Sequence, residues 1–301
     1  MSKTTPKTMP ESMPKSTPKP ALIAPNERPA RRPARATVGK PPSIADEIDA
    51  LSDPSFMNSL ARGLSVIRAF SDQRRSLTIA QISHKTGIPR ASVRRCLHTL
   101  KQLGYADAEG NYFFLQPKVL TLGYSYLSST PLAVLAQPAL NDLSRQLHET
   151  CSLAVLDGDE ILYVARSATA RIMSVALNTG SRLPAYCTSL GRVMLASQSA
   201  EAMSAYLDKN ELKAFTQHTI VSRTRLQTLL KEVAEQGYAI VEEELEIGLR
   251  SIAVPLRGAS GRVVAALNVG AQAGRISSQH MKEHFLPSLL RTAQEMSVLL
   301  P

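Results

Sequence analysis

Apolar residues change their spacing along this chain, and the changes mark its parts. From Phe56 the period is helical: Leu60, Leu64, Ile67 and Phe70 recur at three- and four-residue steps and predict an amphipathic helix. Thr78 reads as the N-cap of a short second helix through Ile79, Ile82 and Thr86, with Gly87 ending it. After Ile88, Pro89 supplies a backbone angle suited to starting a third helix. In that helix Val93, Leu97, Leu100 and Leu103 fall on one face and predict its buried side, and Gly104 stops it.

"YADAEGNYFFL" then gives two strand-like runs about Glu109, Gly110 and Asn111, a hairpin signal. Three helices followed by a hairpin predict a winged helix-turn-helix, assigned to residues 53–116. Residues 117–130 form a linker helix with Val119, Leu122 and Tyr126 on one side, a stripe suited equally to dimerisation and to docking on its own chain. From 131 the texture becomes α+β. A helix is expected over 132–150, then strands over 152–156 and 160–166 about "DGD".

"RIMSVALNTGSRLPAYCTSLGRVMLAS" moves from strand to loop to helix. A helix at 226–237, strands at 239–243, 250–255 and 263–269, and a C-terminal helix complete the pattern. The fold class is therefore α+β, with a mainly antiparallel sheet flanked by helices over 131–301.

The formal net charge of +10 is unevenly placed. Residues 1–42 carry nine Lys/Arg against Glu11 and Glu27, and residues 56–105 carry nine against Asp72 alone. Residues 43–55 hold four acids and no base. The first segment repeats Pro, Lys, Ser and Thr and has little to bury, so residues 1–52 read as a disordered basic tail, with a short acidic helical turn possible over 44–51.

In the folded segment the charge gathers on the third helix, opposite its leucines. Candidate DNA contacts there are Arg90, Ala91, Ser92, Arg94, Arg95 and His98, with Lys101 on the same stripe. Thr78, Lys85 and the hairpin's Asn111 complete the set. A run of charge is often only a solvated face, but a preceding short helix, a Gly-containing turn and a following wing point to duplex DNA.

Cys96, Cys151 and Cys187 lie far apart, without metal-site spacing, and fit a reducing cytoplasm. No apolar run approaches the roughly 18 residues of a spanning helix, so neither export nor membrane insertion is expected. No Walker loop, G-x-S-x-G elbow or Rossmann glycine fingerprint occurs, and no cofactor is expected. "HMKEH" does match an H-x-x-E-H zinc-peptidase pattern through His280, Glu283 and His284. A zinc hydrolase is therefore an alternative, against ordinary surface histidines; a DNA-binding protein without a ligand is another.

"LARGLSVIRAF", "LTIAQISHKTGIPRASVRRCLHTLKQLGY" and "GNYFFLQPKVLTLG" resemble the DNA-binding half of the IclR family of bacterial transcription regulators. "GSRLPAYCTSLGRVMLA", "GYAIVEEELEIGLRSIAVPL" and "GRVVAALNVG" resemble that family's effector-binding half, which has a GAF/PAS-like fold. The wording of "LPAYCTSLGR" and "EIGLRSIAVP" is most similar to the branch controlling β-ketoadipate and hydroxybenzoate catabolism.

The resemblance implies a regulator, not an enzyme. It would act as a dimer or dimer of dimers on an approximately palindromic operator, sensing an aromatic acid or a dicarboxylate derived from one. It also implies an effector site of Leu183, Ser189, Leu190, Val241, Leu249, Ser251, Asn268 and Gly270, with Arg166, Arg182 and Arg250 as candidate carboxylate partners. Many members carry Cys where this chain has Ser251, which puts the polarity of its site in question.

Overall fold

The computed structural model describes residues 53–70, 75–168 and 177–300. The predicted tail at 1–52, its acidic turn and the strand expected around 171–175 lie outside them. Helices α1 (Asn58–Ala69), α2 (Ile79–Thr86) and α3 (Arg90–Gln102) enclose a small core of Val66, Ile82, Ile88, Val93 and Leu97. Thr78 caps α2 reciprocally: its hydroxyl accepts from the Gln81 N–H, while the Gln81 side chain accepts from the Thr78 N–H. Gly87 ends α2 at φ 77°, a left-handed turn glycine adopts without strain, and Pro89 leads into α3.

The hairpin forms from β2 (Ala106–Glu109) and β3 (Tyr112–Leu115). A further strand, β1 (Ser76–Leu77), pairs with β3 and is too short to leave a period in the sequence. The predicted apolar face of α1 is corrected here. Leu60 and Leu64 are 58% and 50% exposed, and Leu103 after α3 is 52% exposed. Three short helices surround room for few side chains; Val66 and Ala69 fill it, and the leucines are left on a groove between α1 and α3.

A 3₁₀ turn (Pro117–Val119) and α4 (Leu120–Ser129) lead into α5 (Pro131–Leu147), bent from the preceding segment by 88°. Pro131 causes the break, because its ring disfavours helical geometry at the residue before it and Thr130 is extended. Leu122 and Tyr126 of the predicted linker stripe are exposed, whereas Leu127 packs on the second core. Helix α5 ends at Leu147, short of the expected 150: His148 turns left-handed and Thr150 opens a strand. Among the described residues no single helix is long and apolar enough to cross a membrane.

The second region is a six-stranded antiparallel sheet. Its strands are β4 (Thr150–Asp157), β5 (Glu160–Ser167), β6 (Arg182–Pro184), β7 (Ala239–Glu242), β8 (Leu249–Arg257) and β9 (Val263–Gln272), in the spatial order β6-β5-β4-β9-β8-β7. Successive side chains point to opposite faces, so one strand serves two cores. Cys151, Leu153, Ile252, Leu267 and Val269 face α5 and a C-terminal helix, Leu286–Leu299, which follows a π-helical turn at Met281–Phe285.

The alternate residues Ala154, Ala253 and Ala266 face α6 (Ser189–Ala196), α7 (Ala200–Lys209) and α8 (Arg223–Gln236). These alanines leave α6 little clearance to fill. A Cβ on Gly191 of α6 would stand 2.1 Å from the Ala185 carbonyl oxygen, so only glycine fits this approach.

Candidate nucleic-acid interface and ligand cavity

Helix α3 buries Val93, Leu97 and Leu100 and turns Arg90, Ala91, Arg94, Arg95 and His98 outward, with Ser92 half-buried. Among the described residues Arg90, Arg94 and Arg95 form no ion pair with a carboxylate, so their charge is available to an external anion, and His98 lies exposed beside them. Lys101 differs, pairing at 2.7 Å with Asp107 on the wing. The Lys85 ammonium donates to the Ala69 carbonyl at 2.5 Å, tying α2 to the end of α1, and the Thr78 hydroxyl is engaged as a cap. Asn111 lies exposed at the hairpin tip beside Gly110, which has φ 58°. An exposed row of cations on the last helix of a helix-turn-helix suits phosphate and base-edge contacts in a major groove.

The ligand cavity follows from strand register. On the sheet face toward α6 the alanine row gives way to Ser152, Ser251 and Asn268, and then to Thr150, Leu249 and Gly270. Pairing sets Ser152 opposite Asn268 on one side and Arg166 on the other. The N-terminal end of α6 closes the space with Thr188 and Ser189, while Leu177, Leu183, Val241, Leu245 and Leu249 supply apolar wall. Counting its opening to solvent the space is about 530 Å³, of which about 40 Å³ admits the centre of a water-sized sphere.

Polar capacity inside the cavity exceeds what the protein uses. Ser189 Oγ and Asn268 Oδ1 are buried with no hydrogen-bond partner, although their residues are only 1% and 8% exposed. Leaving such groups unsatisfied costs about 1–3 kcal/mol each, which a ligand donor or acceptor can offset. Arg166 donates to Ser152 Oγ at 3.3 Å and makes no ion pair with a described carboxylate. Burial pulls its pKa down, but a guanidinium stays charged in proteins. Burial pushes the Cys187 thiol and the Tyr163 hydroxyl up to about 12, so both are neutral near pH 7.

The other ionised lining group, Glu244, is already occupied. Its Oε2 accepts from Arg192 Nη2 at 2.7 Å and from the Ile220 N–H at 3.0 Å. Arg192 Nε donates to the Tyr186 carbonyl at 2.8 Å, completing a buried ion pair between α6 and the β7–β8 loop.

The cavity gathers Leu183, Ser189, Val241, Leu249, Ser251, Asn268, Gly270 and Arg166 of the predicted set. Three assignments are corrected. Leu190, on α6, is fully buried in the apolar core and does not line the space. Arg182 pairs with Asp157 and Glu160 at the sheet edge, at 2.5 and 2.6 Å. Arg250, on the strand face opposite Ser251, donates to the Ala273 and Ile276 carbonyls and pairs with Glu242.

Thr150, Ser152, Tyr163 and Glu244 also line it, brought in from distant positions by strand register and loop closure, and Thr188 joins them as the N-cap next to Ser189. At "HMKEH" the His280 and His284 rings lie 4.4 Å apart, but Glu283 accepts from Gln279 on the same helical segment. Among the described residues no three His, Cys, Asp or Glu side chains converge as metal ligands.

Comparison with known proteins places this geometry. The IclR helix-turn-helix domain matches residues 59–110, and the family described as bacterial transcriptional regulator IclR, C-terminal, matches residues 124–298. The Pca regulon regulatory protein of Pseudomonas putida is 54% identical over 84% of this chain and 88% of its own. The p-hydroxybenzoate hydroxylase transcriptional activator of Acinetobacter baylyi is 39% identical over 80% of this chain and 91% of its own.

A solved inducer-binding domain of the PobR transcription factor from Acinetobacter, a double mutant in complex with 3-hydroxybenzoic acid, is 36% identical. It covers 54% of this chain and 94% of its own, with a TM-score of 0.52. With both domains matched in order, and relatives of such similarity along most of its length, the chain belongs to the IclR family of bacterial transcriptional regulators and is of the Pca/Pob type.

Proposed function

We propose that this chain is a ligand-responsive, sequence-specific regulator of genes for aromatic-acid catabolism in the β-ketoadipate pathway. It works in the cytoplasm as a dimer or dimer of dimers on an approximately palindromic operator, because two symmetric recognition helices need two half-sites. Arg90, Arg94 and His98 lie against DNA together with Ala91, Ser92, Arg95 and Asn111. Thr78 and Lys85 act from α2, by setting how that helix meets the backbone.

The effector is a small carboxylic acid, aromatic or derived from an aromatic. One observation carries this reading: the cavity joins a carboxylate-free arginine to two buried polar atoms that lack partners. Arg166 takes the carboxylate, Ser189 and Asn268 orient the rest, and the leucines cover the carbon skeleton. No hydrolytic chemistry is assigned to His280, Glu283 and His284.

Calorimetric titration of the full chain with 4-hydroxybenzoate, protocatechuate and β-ketoadipate tests the reading, repeated with operator DNA present. Saturable binding of one acid that shifts DNA affinity supports it. Heats of dilution alone from all three, with DNA affinity unmoved, would remove it.

A further inference from the structure

Two buried, oppositely charged groups stand beside the cavity, and only one of them faces it. Glu244 lines the space and is 5% exposed; Arg192, 1% exposed, lies behind it. Arg192 is held from both sides, by the Tyr186 carbonyl and by Glu244, and Glu244 is also held by the Ile220 N–H. This pairing needs no ligand.

Its effect on the cavity is a matter of charge. The ionised side chains among the lining residues are Arg166 and Glu244. With Glu244 neutralised from behind, the lining presents the charge of Arg166 uncompensated. Without that neutralisation the same lining would hold an uncompensated buried carboxylate beside the space an acid must enter. In a poorly solvated interior such like-charge repulsion is several times stronger than in water.

Resting on the reading of this cavity as an acid receptor, we infer that Arg192 sets its preference for anions, without touching the ligand, by neutralising Glu244. Arg192 is a positioning residue for charge. A plain staple between α6 and the β7–β8 loop would use the same ion pair, so the test must separate the two roles.

The experiment is calorimetry on the full-length wild type, R192Q, R192K, E244Q and R192Q/E244Q. The probes are 4-hydroxybenzoate and adipate, each beside its neutral amide, 4-hydroxybenzamide or adipamide. R192Q is expected to bind the acid on the order of 10- to 100-fold more weakly, while amide affinity stays within about threefold. R192K retains acid binding, and the double variant restores it to within about threefold of wild type, since both charges are then gone.

Acid and amide affinities that fall together in R192Q, with no recovery in the double variant, would reduce the pair to a staple. Where R192Q does not fold, E244Q and the double variant decide. E244Q, which leaves Arg192 uncompensated, is expected to bind the acid more tightly than the double variant, and equal affinities overturn the inference. A wild type that binds neither acid nor amide would instead overturn the receptor reading on which this rests.

Discussion

The outer face of α3 and the Arg166 end of the cavity use the same side chain under opposite conditions. Arg90, Arg94 and Arg95 are exposed, so holding their charge costs little and each is available through solvent. Arg166 is partly desolvated and hydrogen-bonded to Ser152, and its neighbours include polar atoms buried without partners. An exposed array binds a polyanion by summed attraction that salt screens; an enclosed cation binds one small acid through geometry that salt reaches poorly. On the proposed function, one chain would thus separate a contact that must be broad from a contact that must be selective.

The largest expected effect comes from the packing that holds α6 over the enclosed site. Gly191→Val should destabilise the protein by about 3 kcal/mol or more, because the new side chain meets the Ala185 backbone, which cannot retreat. Denaturant unfolding would measure it; an unchanged midpoint would show that α6 can shift and that the close approach is not required.

Arg166→Ala should weaken acid binding by about 1.5–3 kcal/mol, the scale of a hydrogen bond to a charged group, with effector-free DNA affinity preserved. Arg94→Ala reverses the pattern. It should cost about 1–3 kcal/mol of operator binding and relax sequence preference, with thermal stability unchanged because the side chain is exposed. Operator binding measured across salt concentrations should fall steeply, and acid binding much less. Equal salt slopes for the two ligands would erase the distinction drawn above.

A separate effect concerns alkaline pH. Burial pushes the Cys151 and Cys187 thiols, ordinarily near 9.0, up to about 12. The folded state therefore holds these protons after the unfolded chain has lost them. Their contribution to stability is complete below pH 9 and is lost as pH rises toward 12. Urea midpoints between pH 7 and 11 would show it as a decline beginning near pH 9, reduced in Cys187→Ala.

Local signals carried the first region well, because its information is short in range. The α3 leucines and arginines, the Thr78 cap and the Gly87 turn are each settled within a few residues. The α1 stripe misled, since periodicity identifies an apolar face but not how much core exists to receive it; Leu60 and Leu64 stayed outside. Helix α7 has a local signal in the Ser199 cap before an apolar period, whereas the two-residue β1 leaves none.

For the cavity, family motifs located the α6 terminus and the β8–β9 positions. Tertiary pairing decided the remainder: Ser152 meets Asn268 and Arg166 through strand register, and Glu244 reaches Arg192 through a loop. Arg182 and Arg250 showed the converse, since nothing in an arginine's neighbours reveals which carboxylate or carbonyl will claim it.

The thinness of the sheet has a mechanical result. Ser152 looks into the cavity, while Cys151 and Leu153, one peptide away on either side, are wedged among α5 side chains. That helix runs back through the Pro131 break toward the wing. Ser152 is therefore separated by a single layer of backbone from the helix that leads back toward the wing.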